Sequence, residues 1–328
     1  MTAAVETMAY AGDLPWHGLG VKVDPNLTPE EMLKAAELDW TVSAREVRAK
    51  DDKGRYSLAG NLRALVRDSD QAVLGPCGPR FVPTQNSEVM DFFKRFVDAG
   101  DMEMHTAGSL LDGKKIWALA SIRKGFTLPG GDEVHGFLLL HSPHVWGESL
   151  GGKFTSVRVV CNNTLEMAMS GGMAFRMPHV RAFDADVQFE AEEALGLAEN
   201  ALADFEQQAE LLAAAKYTSD QRDEFIARVF EPQLLIEPPT NNDNELLPLA
   251  DCFKRTGKKV LELVETQPGA DLKSSKGTYW GLTNAVTYFA DHEAGRDRDT
   301  ALESAWFGSR AKIKAKALET ALDMANAA

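Results

Sequence analysis

Arg63 and Arg67 stand four residues apart in Tyr56–Arg67, a run of β-forming residues, so both guanidinium groups leave the same face of a strand. A guanidinium is a planar fork that reaches two phosphate oxygens at once. With Arg45, Arg48, Arg55, Arg80, Lys114, Lys115 and Arg158 the two arginines make a candidate patch for tracking a nucleic-acid backbone. Lys273 and Lys276, in a polar loop beside Gly277-Thr278-Tyr279-Trp280, are candidates for further phosphate contacts. Trp117, Trp146 and Phe154 could stack on bases, although aromatic residues in strands more often fill a core.

Other residue pairs point to other chemistry and carry it less far. His141-Ser142-Pro143-His144 has a chelating look, but the proline makes it a turn and no third ligand is evident. No metal site and no cofactor are expected. Cys77, Cys161 and Cys252 are odd in number and widely spaced, which excludes a disulfide framework and a four-thiolate zinc site. Cys161 has no nearby His and acid to activate it as a nucleophile. Trp16-His17-Gly18-Leu19-Gly20 follows no strand and lacks a Lys or a third Gly, so it is a poor nucleotide loop; an arm that docks on a neighbouring subunit is the alternative. Gln85-Asn86 and Asn162-Asn163 could hydrogen-bond bases, but helix capping and satisfaction of exposed strand ends are the favoured explanation. No catalytic constellation is recognisable, so the expectation is a protein that is not an enzyme.

Charge is distributed unevenly. The chain of 328 residues has a net charge of −14, yet residues 184–250 hold 16 acidic and 3 basic side chains. Residues 40–125 hold 14 basic and 11 acidic ones. One acidic segment therefore sets the global charge, and a low pI leaves room for a basic surface in the β-rich part. The first twenty residues show no basic start and no apolar core of a secretory signal. With no apolar run long enough to span a bilayer, the expectation is no membrane partner and the cytoplasm of the host cell.

The elements that must position these residues read as α+β. Thr28-Pro29-Glu30-Glu31 starts a helix to about Leu38 after an irregular N-terminal arm. Strands follow over Thr41–Ala49, Tyr56–Arg67 and Val73 to about Pro83, with a turn at Asp51–Gly54. A helix over Glu88–Ala99 carries an apolar stripe of Val89, Phe92, Phe93 and Phe96. Strands Thr106–Leu111, Lys115–Ile122, Val134–His141 and Phe154–Cys161 come next, then a helix from Asn163 or Thr164 through Leu165–Met169. Arg80-Phe81-Val82 and Arg158-Val159-Val160 open similar strand-to-helix junctions, so an internal duplication of the helix-β-β-β-helix core is one reading. The rest is helical: a long helix from Ala185 to about Lys216, Ser219–Phe230, Ala250–Glu265, Tyr279–Glu293 and about Asp299–Ala327, with a turn-rich linker at residues 237–245 and a mobile polar segment Pro268–Gly277. This gives a mixed antiparallel sheet domain over 1–182, an acidic helical hairpin over 183–236 and a helical region over 237–328.

Four separated blocks carry a resemblance to a known family: Ala9-Tyr10 with Pro15-Trp16-His17-Gly18-Leu19-Gly20; Arg80-Phe81-Val82-Pro83 with Gln85-Asn86; Val157-Arg158-Val159-Val160-Cys161 with Asn163-Thr164-Leu165; and Gly277-Thr278-Tyr279-Trp280-Gly281 with Asn284-Ala285-Val286-Thr287. Together they resemble the phage/plasmid-like proteins of the domain-of-unknown-function 932 family, which implies a mobile-element setting and no particular chemistry. The order helix, three-stranded meander, helix is also similar to the core of phage single-strand annealing proteins of the RecT and Red beta type. That likeness implies a homo-oligomer, ring or filament, holding single-stranded DNA in recombination or replication. The alternative expectation is an acidic interaction protein, a host-defence antagonist or DNA mimic acting through residues 184–250.

Overall fold

The structure, a computed structural model, describes residues 5–12, 20–158, 163–166, 175–196, 198–294, 301–306 and 308–327. Trp16–Leu19, Cys161 and Asn162 lie outside them. In chain order the elements are β1 (Val5–Tyr10), β2 (Val21–Lys22), α1 (Pro29–Ala35), β3 (Val42–Lys50), β4 (Tyr56–Arg67), β5 (Val73–Cys77), α2 (Asn86–Ala99), β6 (Met102–Leu110), β7 (Lys115–Leu128), β8 (Asp132–Pro143), β9 (Ser149–Arg158), β10 (Asn163–Glu166) and β11 (Phe175–Pro178). The helices α3 (Ala185–Gly196), α4 (Ala198–Ala214), α5 (Ser219–Phe230), α6 (Gln233–Ile236), α7 (Leu249–Cys252), α8 (Arg255–Thr266) and α9 (Tyr279–Tyr288) follow. A π-helical turn (Phe289–Glu293), α10 (Ala301–Trp306) and α11 (Ser309–Asn326) complete the described chain.

The fold is α+β, with two sheets. The larger runs β10-β9-β8-β7-β6-β1-β2 with β11 also on β9, and the smaller runs β3-β4-β5. The chain divides into two compact units. Unit 1 takes Met1–Arg123, Phe137–Phe154 and Gly171–Glu199; unit 2 takes Lys124–Gly136, Thr155–Ser170 and Asn200–Ala328.

In unit 1 the expected α1–β3–β4–β5–α2 order is present. The Thr28 hydroxyl accepts the Glu31 N–H at 3.2 Å while the Glu31 carboxylate accepts the Thr28 N–H at 2.9 Å, so the helix starts on the reciprocal cap read from the sequence. The amides of Gln85 and Asn86 hold backbone. Gln85 donates to the Val42 carbonyl (3.0 Å) and accepts its N–H (2.9 Å), and Asn86 donates to the carbonyls of Leu38 (2.9 Å) and Trp40 (3.2 Å). Val89, Phe92 and Phe93 bury the stripe of α2.

In unit 2 the Gly277–Gly281 block builds a buried junction. The Thr278 hydroxyl accepts the Gly281 N–H (3.1 Å) and donates to the Ser274 carbonyl (2.6 Å). Asp132, at the start of β8, accepts from Ser274 Oγ at 2.6 Å and from Trp280 Nε1 at 3.0 Å. A Cβ on Gly281 would fall 2.1 Å from the Ser275 carbonyl oxygen, so only glycine fits there. Lys314 of α11 pairs with Asp291 of the π-helical turn at 2.8 Å, both side chains fully buried.

Several expectations are overturned. Residues 5–10 are a strand between β6 and β2, not an irregular arm, with Met8, Ala9 and Tyr10 buried. Asn163–Glu166 continues as a strand antiparallel to β9 (Asn163 opposite Arg158), not a helix, so the second junction does not repeat the first and the duplication falls. Pro268–Gly277 is a packed turn in which Ser274 and Ser275 are buried, not a mobile segment. β8 runs through Ser142 and Pro143, so the histidine pair ends a strand rather than marking a turn.

Lys314→Met should lower the unfolding free energy by about 3–5 kcal/mol, because it leaves the Asp291 carboxylate buried without its cation. Urea unfolding checks this. The pair of changes Lys314→Met with Asp291→Leu should recover most of the loss.

Candidate nucleic-acid interface

The small sheet rests on Val42, Leu65, Leu74 and Cys77, with Trp40, Ala44 and Phe81 against them. β5 pairs only with Arg63–Val66 of β4. Beyond that point β3 and β4 continue as a two-stranded ribbon from Glu46 to Arg63, exposed along almost all of its length. The ribbon changes register part-way. Glu46 faces Arg63, and two residues further on Arg48 faces Leu58. The residue numbers of a pair sum to 109 before the shift and 106 after it, so β4 carries three extra residues. Gly60 lies there with φ at +61°, which favours glycine. Past this bulge Arg48 and Leu58 share one face with Lys50 and Tyr56.

That face sets the cations Arg48 and Lys50 on β3 opposite the apolar groups Leu58 and Tyr56 on β4. Tyr56 is 65% exposed, and the Lys50 ammonium lies 5.7 Å from its ring centroid. From Arg45 to Arg63 there are six basic side chains (Arg45, Arg48, Lys50, Lys53, Arg55, Arg63) and three acidic ones (Glu46, Asp51, Asp52). Arg55 pairs with Asp51 at 2.8 Å, and Arg48 lies 3.9 Å from Glu46. The Asp51 carboxyl is held below its usual range by hydrogen bonds from the backbone and side chain of Arg55. Exposed pairs of this kind stabilise little and are screened by salt, so a phosphate can replace the carboxylate. Arg45 is tied more firmly, to Asp68 at 2.5 Å and to Gln71.

The remaining candidates separate. Arg67, on the same strand face as Arg63, is a structural residue. It pairs with Glu6 and Asp70, both at 2.7 Å, lies 5.3 Å from the Trp40 ring, and its side chain is 12% exposed. The guanidinium holds the Asp70 carboxyl down to about 2, and Gly113, at φ +81°, leaves room for it where a Cβ would fall 2.8 Å from Nη1. Lys115 is buried and bound to Glu148 at 2.9 Å, so it cannot reach a phosphate as expected. Lys114 is half-buried and its carbonyl accepts the His144 N–H at 2.7 Å. Arg80 is exposed in the loop after β5, and Arg158 closes β9. Lys273 and Lys276 are exposed but belong to unit 2. Of the aromatic candidates, Trp117 and Phe154 are core; Trp146 is exposed. Lys50, Lys53 and Tyr56 were not singled out from the sequence, although an aromatic next to a basic turn was the available signal.

His144 is fixed by a hydrogen-bond network. Its Nε2 is 3.0 Å from Asn86 Oδ1, and Asn86 already donates through its Nδ2, so His144 donates from Nε2. Nδ1 has no hydrogen-bond partner among the described residues. A proton there would be buried and unsatisfied, and burial pushes the His144 pKa down to about 3. Among the described residues no group of three or more His, Cys, Asp or Glu side chains could hold a metal ion, and no helix is long and apolar enough to cross a membrane.

A family model described as "Domain of unknown function (DUF932)" matches residues 73–317, about three quarters of the chain. The chain belongs to that family. The distal ribbon lies before the matched span. No curated protein and no solved structure matches the chain.

Two outcomes follow from these positions. Arg67→Ala should lower the thermal midpoint by several degrees, whereas Arg63→Ala should leave it unchanged; a calorimetric scan of each decides. Unfolded His144 takes up a proton near 6.5 and the folded residue not until about 3, so folding stability should fall as pH drops through that window. Urea unfolding at pH 7 and pH 4.5 should show a smaller drop for His144→Gln than for the wild type.

Proposed function

We propose that this protein binds single-stranded nucleic acid through the distal β3–β4 ribbon, in the recombination or replication of phage or plasmid DNA, and that it acts without covalent chemistry. One observation supports the reading: a solvent-exposed ribbon with five basic and three acidic side chains presents Tyr56 beside Lys50 and Arg48 on one face. Cations follow a phosphate backbone and an exposed ring stacks on a base, a pairing that tolerates any sequence. A ribbon of two strands also fits the major groove of a duplex; the exposed tyrosine favours single strands, whose bases are open to stacking. Annealing would require copies held side by side along a strand.

The test is fluorescence anisotropy of labelled single-stranded and duplex DNA across a salt titration. Single strands should bind more tightly, with affinity falling as salt rises. Changing Arg48, Lys50, Lys53 and Arg55 to Ala should reduce the slope of log affinity against log salt by about 0.7 for each side chain that touches a phosphate. Tyr56→Ala should cost about 1–3 kcal/mol of binding at any salt. An unchanged slope in the fourfold variant would sink the ribbon as the site. Absence of binding even at low salt would transfer the reading to residues 184–250 as a surface for a protein partner.

A further inference from the structure

Unit 2 gathers exposed apolar side chains into one short stretch. α6 ends in Leu235 and Ile236, the latter 77% exposed, and Leu246 (72%) and Leu247 return beside it. They return because the Asn241 N–H donates to the Glu245 carbonyl and the Leu247 N–H to that of Pro239, each at 2.9 Å. The loop Asn241–Glu245 is thereby pinned, with the Asn241 side chain accepting the N–H groups of Asp243 and Glu245. An adjoining cleft is lined by Phe230, Glu231, Leu234, Cys252 and Lys254. From Glu231 to Cys252 the chain has five acids and no Lys, Arg or His, and Glu237, Asp243, Glu245 and Asp251 among those acids are exposed. An exposed apolar patch with a mostly acidic rim marks an interaction site.

The complementary surface is on the same chain. Past the bulge, the ribbon face sets Leu58 (55% exposed) opposite Arg48 and Tyr56 opposite Lys50, with Lys53 and Arg55 at its tip. We infer that this face of one copy docks on the Leu235–Leu247 patch of a second copy, apolar side chains against apolar and cations against the acidic rim. The two surfaces differ, so the contact is heterologous, and its repetition generates a ring if the rotation closes and an open chain if it does not. The inference goes beyond the nucleic-acid reading: it assigns a role to a patch that reading leaves unused. At any one copy the ribbon serves either a strand or a neighbour.

The test replaces Leu58 by the photocrosslinker benzoylphenylalanine in unlabelled protein, mixes this with ¹⁵N-labelled wild type, irradiates, and maps the crosslinked peptides by mass. Crosslinks should join position 58 to residues 233–250 of the labelled copy. The double variant Ile236→Asp with Leu246→Asp, with its fold checked by circular dichroism, should weaken self-association in sedimentation velocity by at least about tenfold, or about 1.4 kcal/mol. High salt should weaken the contact without abolishing it, since only its charged part is screened. A wild type that sediments as a monomer at high micromolar concentration overturns the inference. So do crosslinks confined to the same copy or to another region, and so does a double variant that associates normally. The double variant keeps its ribbon intact. Crosslinking without DNA binding would remove only the nucleic-acid reading, and DNA binding by a strict monomer would remove only this one.

Discussion

Val42 and Leu65 close an apolar cluster with Leu74 and Cys77, and the small sheet is held to its unit only as far as that cluster reaches. β5 covers β4 no further than Arg63, and the two strands that continue past it have solvent on both faces. A ribbon in that position cannot gain stability by burying apolar area, so its residues must keep it soluble and keep its open edges from pairing at random. Basic side chains, a glycine bulge and a charged turn meet that demand. The same composition makes a surface on which anionic ligands can settle. On the proposed reading, structural necessity and nucleic-acid binding fall on the same residues.

Much of this was legible locally. The Thr28–Glu31 cap and the stripe of Val89, Phe92 and Phe93 each depend on residues within a few turns of one helix, and each stands as read; Tyr56–Arg67 is the strand expected, but the bulge within it was not read. What failed depended on distant partners. β1 is a strand because β6 lies beside it, about a hundred residues further along the chain. Asn163 and Thr164 read as helix caps, since amides and hydroxyls suit that place, but pairing with β9 satisfies their backbone instead. Arg63 and Arg67 are indistinguishable by spacing; Glu6, 61 residues from Arg67, makes one of them structural. Lys115 and Arg67 are held in ion pairs that their spacing in the sequence does not reveal, because burial is a property of the fold and not of the residue type.

The block Gly277–Gly281, which with three others carried the family resemblance, takes part in no exposed surface of its own. Thr278 starts a helix, Trp280 and Ser274 both reach Asp132, and Gly281 lets the helix lie against Ser275. A carboxylate that is fully buried is tolerable only when its lone pairs are met, so these residues are coupled to Asp132 across some 140 positions of sequence. That block lies inside the matched span and is packed, while the exposed ribbon lies before that span.

The interleaving of the two units bears on how the chain comes off the ribosome. Unit 1 is not finished at residue 123; it also needs Phe137–Phe154 and Gly171–Glu199, including β11 and the start of the acidic helices. A nascent chain must therefore translate parts of unit 2 and hold them unpaired before unit 1 can close, and translation at about 5–20 residues per second makes that a wait of several seconds. During it β7 waits for β8, and β8, which carries the apolar run Phe137–Leu140, waits for β9. The chain passes from one unit to the other five times, so a fragment ending at residue 123 lacks residues of both.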